Sequence, residues 1–177
     1  CYIPGGQARY PSSAVMSVVP AKVAGVKRIV VVSPPDRDGK IDPLTIVAAV
    51  YCGATEIYKV GGAQAIGALA YGTKSIPKVD KIVGPGGKFV SIAKSLVSDQ
   101  TAIDMIAGPT ELGIIADTSS DPELVALDLI SQAEHSKDTM CFVITTSKTL
   151  AKKVQKLLEE LIPYVERSAI VRQSISK

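Results

Sequence analysis

An α/β fold with mostly parallel sheets is what this sequence predicts, on three observations. Short β-branched runs alternate with longer amphipathic or Ala-rich runs. The loops between them are short, and a glycine cluster recurs where a strand gives way to a helix. That alternation makes βαβ units, whose parallel strands are covered by helices on both faces. Composition agrees: at 46% hydrophobic and 21% charged the 177 residues read as globular, and with only 5% aromatics and no Trp the core is aliphatic.

Taken in order, residues 12–24 have helical character, with Ser12-Ser13 after Pro11 as an N-cap signal and Pro20 kinking or restarting the helix. Residues 27–33 read as a buried strand, because Ile29-Val30-Val31-Val32 is a continuous β-branched run closed by Ser33-Pro34-Pro35. Asp42-Pro43 sets an N-cap before a proline at the first helical position, opening a helix to Cys52 with Gly53 as its stop. A strand at 56–60 runs into Gly61-Gly62, and 63–71 makes a small-residue helix ended by Gly72. A strand at 78–83, the turn Gly84-Pro85-Gly86-Gly87 and a helix at 88–96 repeat the pattern, followed by a short strand at 102–105.

After Ala107-Gly108-Pro109 the pattern restarts. A strand at 112–116 precedes a helix capped by Asp121-Pro122-Glu123 and running to His135; a strand at 140–145 and a helix at 148–162, closed by Pro163, complete it. The break divides the chain into residues 1–109 and 110–177. The second part is too small for a complete doubly wound sheet.

Charge and cysteine content narrow the function. Twenty basic residues scattered among 17 acidic ones, for a net +3, argue against a nucleic-acid or membrane partner. Three Cys without zinc-ribbon spacing suit a reducing compartment and hence the cytoplasm. No apolar run approaches the roughly 18 residues of a spanning helix. The chain begins at Cys1 with neither Met nor a leader, so Cys1 reads as a cut end and the natural chain as longer. A single histidine excludes HExxH, C₂H₂ and His₃ zinc sites built within one chain.

Two features carry chemistry. Glycine turns at Gly61-Gly62 and Gly84–Gly87 mark the carboxyl ends of strands, where open α/β sheets bind ligands, and a third, Gly5-Gly6, has no clear strand before it. None is a GxGxxG fingerprint, so they read equally as ordinary turn chemistry or as cradles for a phosphate-bearing ligand. Gln132 and His135, three residues apart, project from one face of the last turn of their helix, with Asp128 one turn earlier. On spacing alone Gln-x-x-His is either a capped helix end or half of a metal site. Cys52 and Cys141 read as core packing, and Lys152, Lys153, Lys156, Glu159 and Glu160 as a solvated helix face.

Six strings in order make a more specific pattern: Tyr2-Ile3-Pro4-Gly5-Gly6, Tyr10-Pro11-Ser12-Ser13, Val60-Gly61-Gly62-Ala63-Gln64-Ala65-Ile66, Val79-Asp80-Lys81-Ile82-Val83-Gly84-Pro85-Gly86, Asp104-Met105 with Ala107-Gly108-Pro109-Thr110-Glu111, and Ser131-Gln132-Ala133-Glu134-His135. Together they resemble the histidinol dehydrogenase family over the chain to about Thr146.

The resemblance implies two incomplete Rossmann-like domains, the first binding NAD and the second carrying zinc and substrate residues. It implies NAD-dependent, zinc-assisted oxidation of L-histidinol to L-histidine through the aldehyde, reducing two NAD⁺, in a homodimer. Tyr2 and Gln64 fall on NAD-contacting positions, and Gly87 on a third that the family usually fills with Asn. Thr110 stands where the family has a substrate-contacting Ser, and Gln132 and His135 match its zinc- and substrate-contacting pair. The family's catalytic Glu-His pair and remaining zinc ligands belong to its C-terminal half, so no catalytic residue is assigned within this chain. The chain therefore resembles a portion truncated at both ends and inactive alone. Two other readings stay open: a non-catalytic nucleotide-binding module of the same fold, and a related alcohol dehydrogenase with another substrate.

Overall fold

The computed structural model describes residues 1–5, 9–106 and 111–175, so Gly6, Thr110 and the Gly108-Pro109 break lie outside the described residues. The chain forms two compact units, Cys1–Gly108 and Pro109–Lys177. The α/β expectation holds in both.

In the first unit the elements are α1 (Pro11–Val23), β1 (Val30–Ser33), α2 (Pro43–Cys52), β2 (Glu56–Lys59), α3 (Gly62–Tyr71), β3 (Lys81–Ile82), α4 (Lys88–Leu96) and β4 (Ala102–Ile103). Strand β1 pairs parallel with β2, Val30 opposite Glu56, and β3 pairs parallel with β4, Lys81 opposite Ala102. The extended Cys1–Ile3 segment joins the two pairs. Val32 N–H donates to the Cys1 carbonyl at 2.9 Å, Ile3 N–H to the Val32 carbonyl at 2.9 Å, and Tyr2 N–H to the Val83 carbonyl at 2.7 Å. Three residues before Pro4 are too few for any periodicity to reveal, which is why no strand is legible before Gly5.

Alternation along these strands sorts the core onto two faces. Val31 and Ile3 pack with Ala14, Val18 and Ala49 of α1 and α2. Val30, Val32 and Tyr2 pack with Ile66, Leu69 and Val90 of α3 and α4. Helices thus cover both faces of this unit, as parallel strands require.

Capping explains most boundaries. The Asp42 carboxylate accepts the Thr45 N–H at 3.0 Å and opens α2, and Gly53, at φ 105°, ends it. Helix α1 departs from expectation. Pro11 occupies its first turn, Tyr10 is the N-cap without a side-chain bond, and Ser12 and Ser13 lie inside the helix rather than capping it. Nor does Pro20 break the helix, which runs on to Val23. The carbonyl that Pro20 deprives of an i+4 donor belongs to Met16, a residue on the exposed side of the helix.

The second unit contains β5 (Glu111–Ile115), α5 (Pro122–Ala133), β6 (Met140–Ile144), α6 (Lys148–Leu161), a 3₁₀ turn (Ile162–Tyr164) and α7 (Ser168–Ile175). Strands β5 and β6 pair parallel over five residues, Glu111 opposite Met140. Here coverage of both faces fails. Ile114, Cys141 and Val143 pack on α5 and α6, whereas Ile115, Met140, Phe142 and Ile144 are exposed. Helix α7 had no prediction; its Val171 is fully buried and the Ser174 hydroxyl donates to the Thr139 carbonyl at 2.8 Å.

Candidate functional site

The carboxyl ends of the first unit's strands are shaped by backbone approaches that only glycine permits. A Cβ on Gly61, the N-cap of α3, would lie 2.4 Å from Pro34 Cβ. Gly84 is the extreme case: its φ is +115°, and a Cβ there would lie 2.1 Å from the Tyr2 carbonyl oxygen. Gly87 differs. Its φ is −68°, it caps α4 without a side-chain bond, and a Cβ would meet nothing within 4 Å.

Tyr2 and Gln64 meet at Gly62. Tyr2 is only 4% exposed, its ring packs in the core, and its hydroxyl accepts the Gly62 N–H at 3.0 Å. Gln64 is exposed and its side chain folds back over Gly62, placing Oε1 2.8 Å from where a Gly62 Cβ would stand. Gly87 opens the neighbouring helix, which packs on α3 through Val90. The sequence-predicted cofactor positions therefore lie on the turns at the ends of β2 and β3 and on the segment between the strand pairs.

A cluster the sequence reading missed lies at the same end. Lys94 is 2% exposed; its ammonium donates to the Gly84 carbonyl at 3.0 Å and to the Asp104 carboxylate. Asp104 accepts the Gly84 N–H at 2.8 Å and the Met105 N–H at 2.7 Å. Burial pushes the Asp104 carboxyl up, but the hydrogen bonds from Lys94, Gly84 and Met105 outweigh it and hold it below its ordinary value. A groove of about 660 Å³ abuts Gly84, Pro85 and Asp104 and extends along Met16 and Ala21 of α1. The signal was present: Val90, Lys94 and Val97 share one helical stripe, and a lysine on an apolar stripe asks for a partner.

In the second unit Gln132 is half-buried in the last turn of α5. The helix ends at Ala133 with a half-buried Glu134 as C-cap, so His135 sits just past the helix rather than in its last turn. His135 is exposed, and its Nδ1 lies 3.0 Å from the Ser131 carbonyl. A carbonyl only accepts, so Nδ1 is the donating nitrogen and Nε2 is the one left to face a ligand. A backbone carbonyl fixing the far nitrogen is the usual support of a metal-bound imidazole, so His135 fits a zinc ligand. Among the described residues no group of three or more His, Cys, Asp or Glu side chains is arranged to hold a metal. This chain supplies a pair of candidate ligands and no complete metal site among those residues.

Comparison with known proteins follows the same lines. The family model for histidinol dehydrogenase matches residues 1–177. The chain is 53% identical over 176 residues to the histidinol dehydrogenase of Oceanobacillus iheyensis, covering 99% of this chain and 41% of that protein. It is 50% identical over 177 residues to that of Methanothermobacter thermautotrophicus, covering 100% and 42%. The crystal structure of histidinol dehydrogenase from Elizabethkingia anophelis superposes with a TM-score of 0.93 at 43% identity, over 98% of this chain and 40% of that one. The chain thus spans about 41% of the length of the curated relatives it matches. It belongs to the histidinol dehydrogenase family.

Proposed function

We propose that the whole protein oxidises L-histidinol to L-histidine through the aldehyde, as a cytoplasmic homodimer, and that this chain is its cofactor-binding core together with part of its zinc and substrate site. When bound, NAD⁺ would supply the hydride acceptor for each oxidation, and zinc, held in part by Gln132 and His135, would supply a Lewis acid that orients the substrate. Tyr2 positions the Gly62 amide at the start of α3 beneath Gln64, and Gly87 opens α4; amide-bearing helix starts at strand ends suit the phosphates of a dinucleotide. Gln132, His135 and the Thr110 hydroxyl orient the substrate, with Gln132 and His135 also holding zinc. Holding the alcohol carbon against the cofactor is a positioning role, the form in which a site of this kind lowers a barrier. The acid–base step falls to residues outside this chain.

The observation that carries this reading is the Nδ1 bond of His135, which leaves Nε2 ready for a metal within the Gln132–His135 pair. Full-length protein supplied with zinc and NAD⁺ is expected to form NADH from histidinol. NAD⁺ binding without any NADH formation supports the non-catalytic module instead.

Gly87→Asn tests the third cofactor position. The open space there admits the side chain without strain. A restored amide contact adds about 1 kcal/mol, roughly a fivefold lower Kd for NAD⁺ by calorimetry on the full-length protein. An unchanged or higher Kd counts against the assignment.

A further inference from the structure

Gly84 is gripped from both sides by a pair that the proposed chemistry does not use. Lys94 takes its carbonyl at 3.0 Å and Asp104 takes its N–H at 2.8 Å, and the two side chains are bonded to each other. The β3–β4 main-chain ladder ends where this grip begins: Asp104 N–H donates to the Ile82 carbonyl at 3.2 Å, and one step on a side chain replaces the backbone partner. From Gly84 contacts run to Tyr2 and Gln64, and the chain itself runs to Gly87. Gly87 is three residues further along the same turn. The Tyr2 carbonyl packs on the bare face of Gly84, and the Tyr2 hydroxyl holds the Gly62 amide beneath Gln64.

We propose that Lys94 and Asp104 are positioning residues for dinucleotide binding, setting the Gly84–Gly87 turn and Tyr2 at the spacing the cofactor meets; this rests on the NAD⁺ reading above. An ion pair in which only Lys94 is buried, Asp104 being open to solvent, is a weak source of stability. Its value here is geometric. The polar groups of a left-handed glycine cannot be satisfied by a further strand residue, and Lys94 with Asp104 satisfies both while fixing where the turn begins.

The test compares full-length wild type, Asp104→Asn, and the double variant Lys94→Met with Asp104→Asn, which keeps side-chain volume and leaves no buried unpaired charge. NAD⁺ binding is followed by calorimetry, unfolding by urea titration, and KM for NAD⁺ by initial rates. The double variant leaves the Gly84 carbonyl without its Lys94 donor, so its unfolding midpoint is expected to fall modestly; measured where the protein remains folded, Kd for NAD⁺ is expected to rise about tenfold and KM for NAD⁺ to rise more than kcat falls. A wild-type Kd in the double variant under those conditions overturns the proposal. So does a rise in Kd that disappears once it is corrected for the folded fraction, since the pair then serves folding alone. Wild-type protein that binds no NAD⁺ overturns the cofactor reading itself, and that result is seen before any variant is compared.

Discussion

Gly84→Ala is expected to destabilise the first unit by about 2–5 kcal/mol, from two independent causes. A side chain at φ +115° leaves the allowed region for L-residues, costing about 1–2 kcal/mol. The new Cβ would also stand 2.1 Å from the Tyr2 carbonyl oxygen, and relieving such a clash costs roughly 1–3 kcal/mol. Tyr2 cannot give way cheaply, because its N–H is bonded to Val83 and its neighbours Cys1 and Ile3 are bonded to Val32. At about 2–4 °C per kcal/mol for a chain of this size, thermal unfolding of the 177-residue chain should shift down by on the order of 10 °C. Gly67→Ala is the control. Gly67 lies inside α3 with nothing within 4 Å of a Cβ, so alanine there should be neutral or stabilising by about 0.5–1 kcal/mol. Equal stability of the two variants would contradict the close approach at Gly84.

His135→Ala is expected to strip zinc from the full-length protein and leave its folding intact. His135 is exposed past the end of α5, and its side chain bonds only the Ser131 carbonyl among the contacts described. Losing that bond, with any favourable term at a helix C-terminus, costs about 1 kcal/mol or less. Removing the partner behind a metal-bound histidine already costs about 10–100-fold in affinity, so removing the ligand should cost at least about 100-fold. Metal analysis after dialysis should find zinc in the wild type and little in the variant, at nearly equal unfolding midpoints. Unchanged zinc content would remove His135 from the ligand set.

Much of the fold was legible where local chemistry decides it. Asp42-Pro43 and Asp121-Pro122 carry their cap and their proline in adjacent residues, and both helices start where those residues predict. The β-branched run at 29–32 is buried throughout, and the strand covers Val30–Ser33 rather than all of 27–33. Features set by distant chain were not legible. Cys1–Ile3 becomes strand-like because Val32 and Val83 flank it, and β3 stops at Ile82 because the Asp104 side chain takes the next amide. The exposed face of β5 and β6 followed from α5 and α6 packing on the same side, which no periodicity announces.

The site divides the same way. The glycine turns could be read from sequence as strand-end cradles, yet their severity could not: Gly84 and Gly87 are three residues apart, one closed to any side chain and the other open. Tyr2 meets Gly62 across sixty positions of chain through a single hydroxyl, and Lys94 meets Asp104 across ten. Gln132 and His135 stood out only through the family pattern. What the structure adds is the bond from Nδ1 to Ser131, which explains in physical terms why that histidine suits a metal.

The central claim is that this chain holds the cofactor positions and two zinc ligands of a histidinol dehydrogenase whose acid–base residues lie elsewhere. Counting NADH formed per histidinol, with zinc and excess NAD⁺, for the full-length protein and the 177-residue chain side by side, tests it most directly. The account predicts two NADH per histidinol from the full-length protein and none from the 177-residue chain. Robust turnover by the 177-residue chain alone, or one NADH per histidinol from the whole protein, would contradict it.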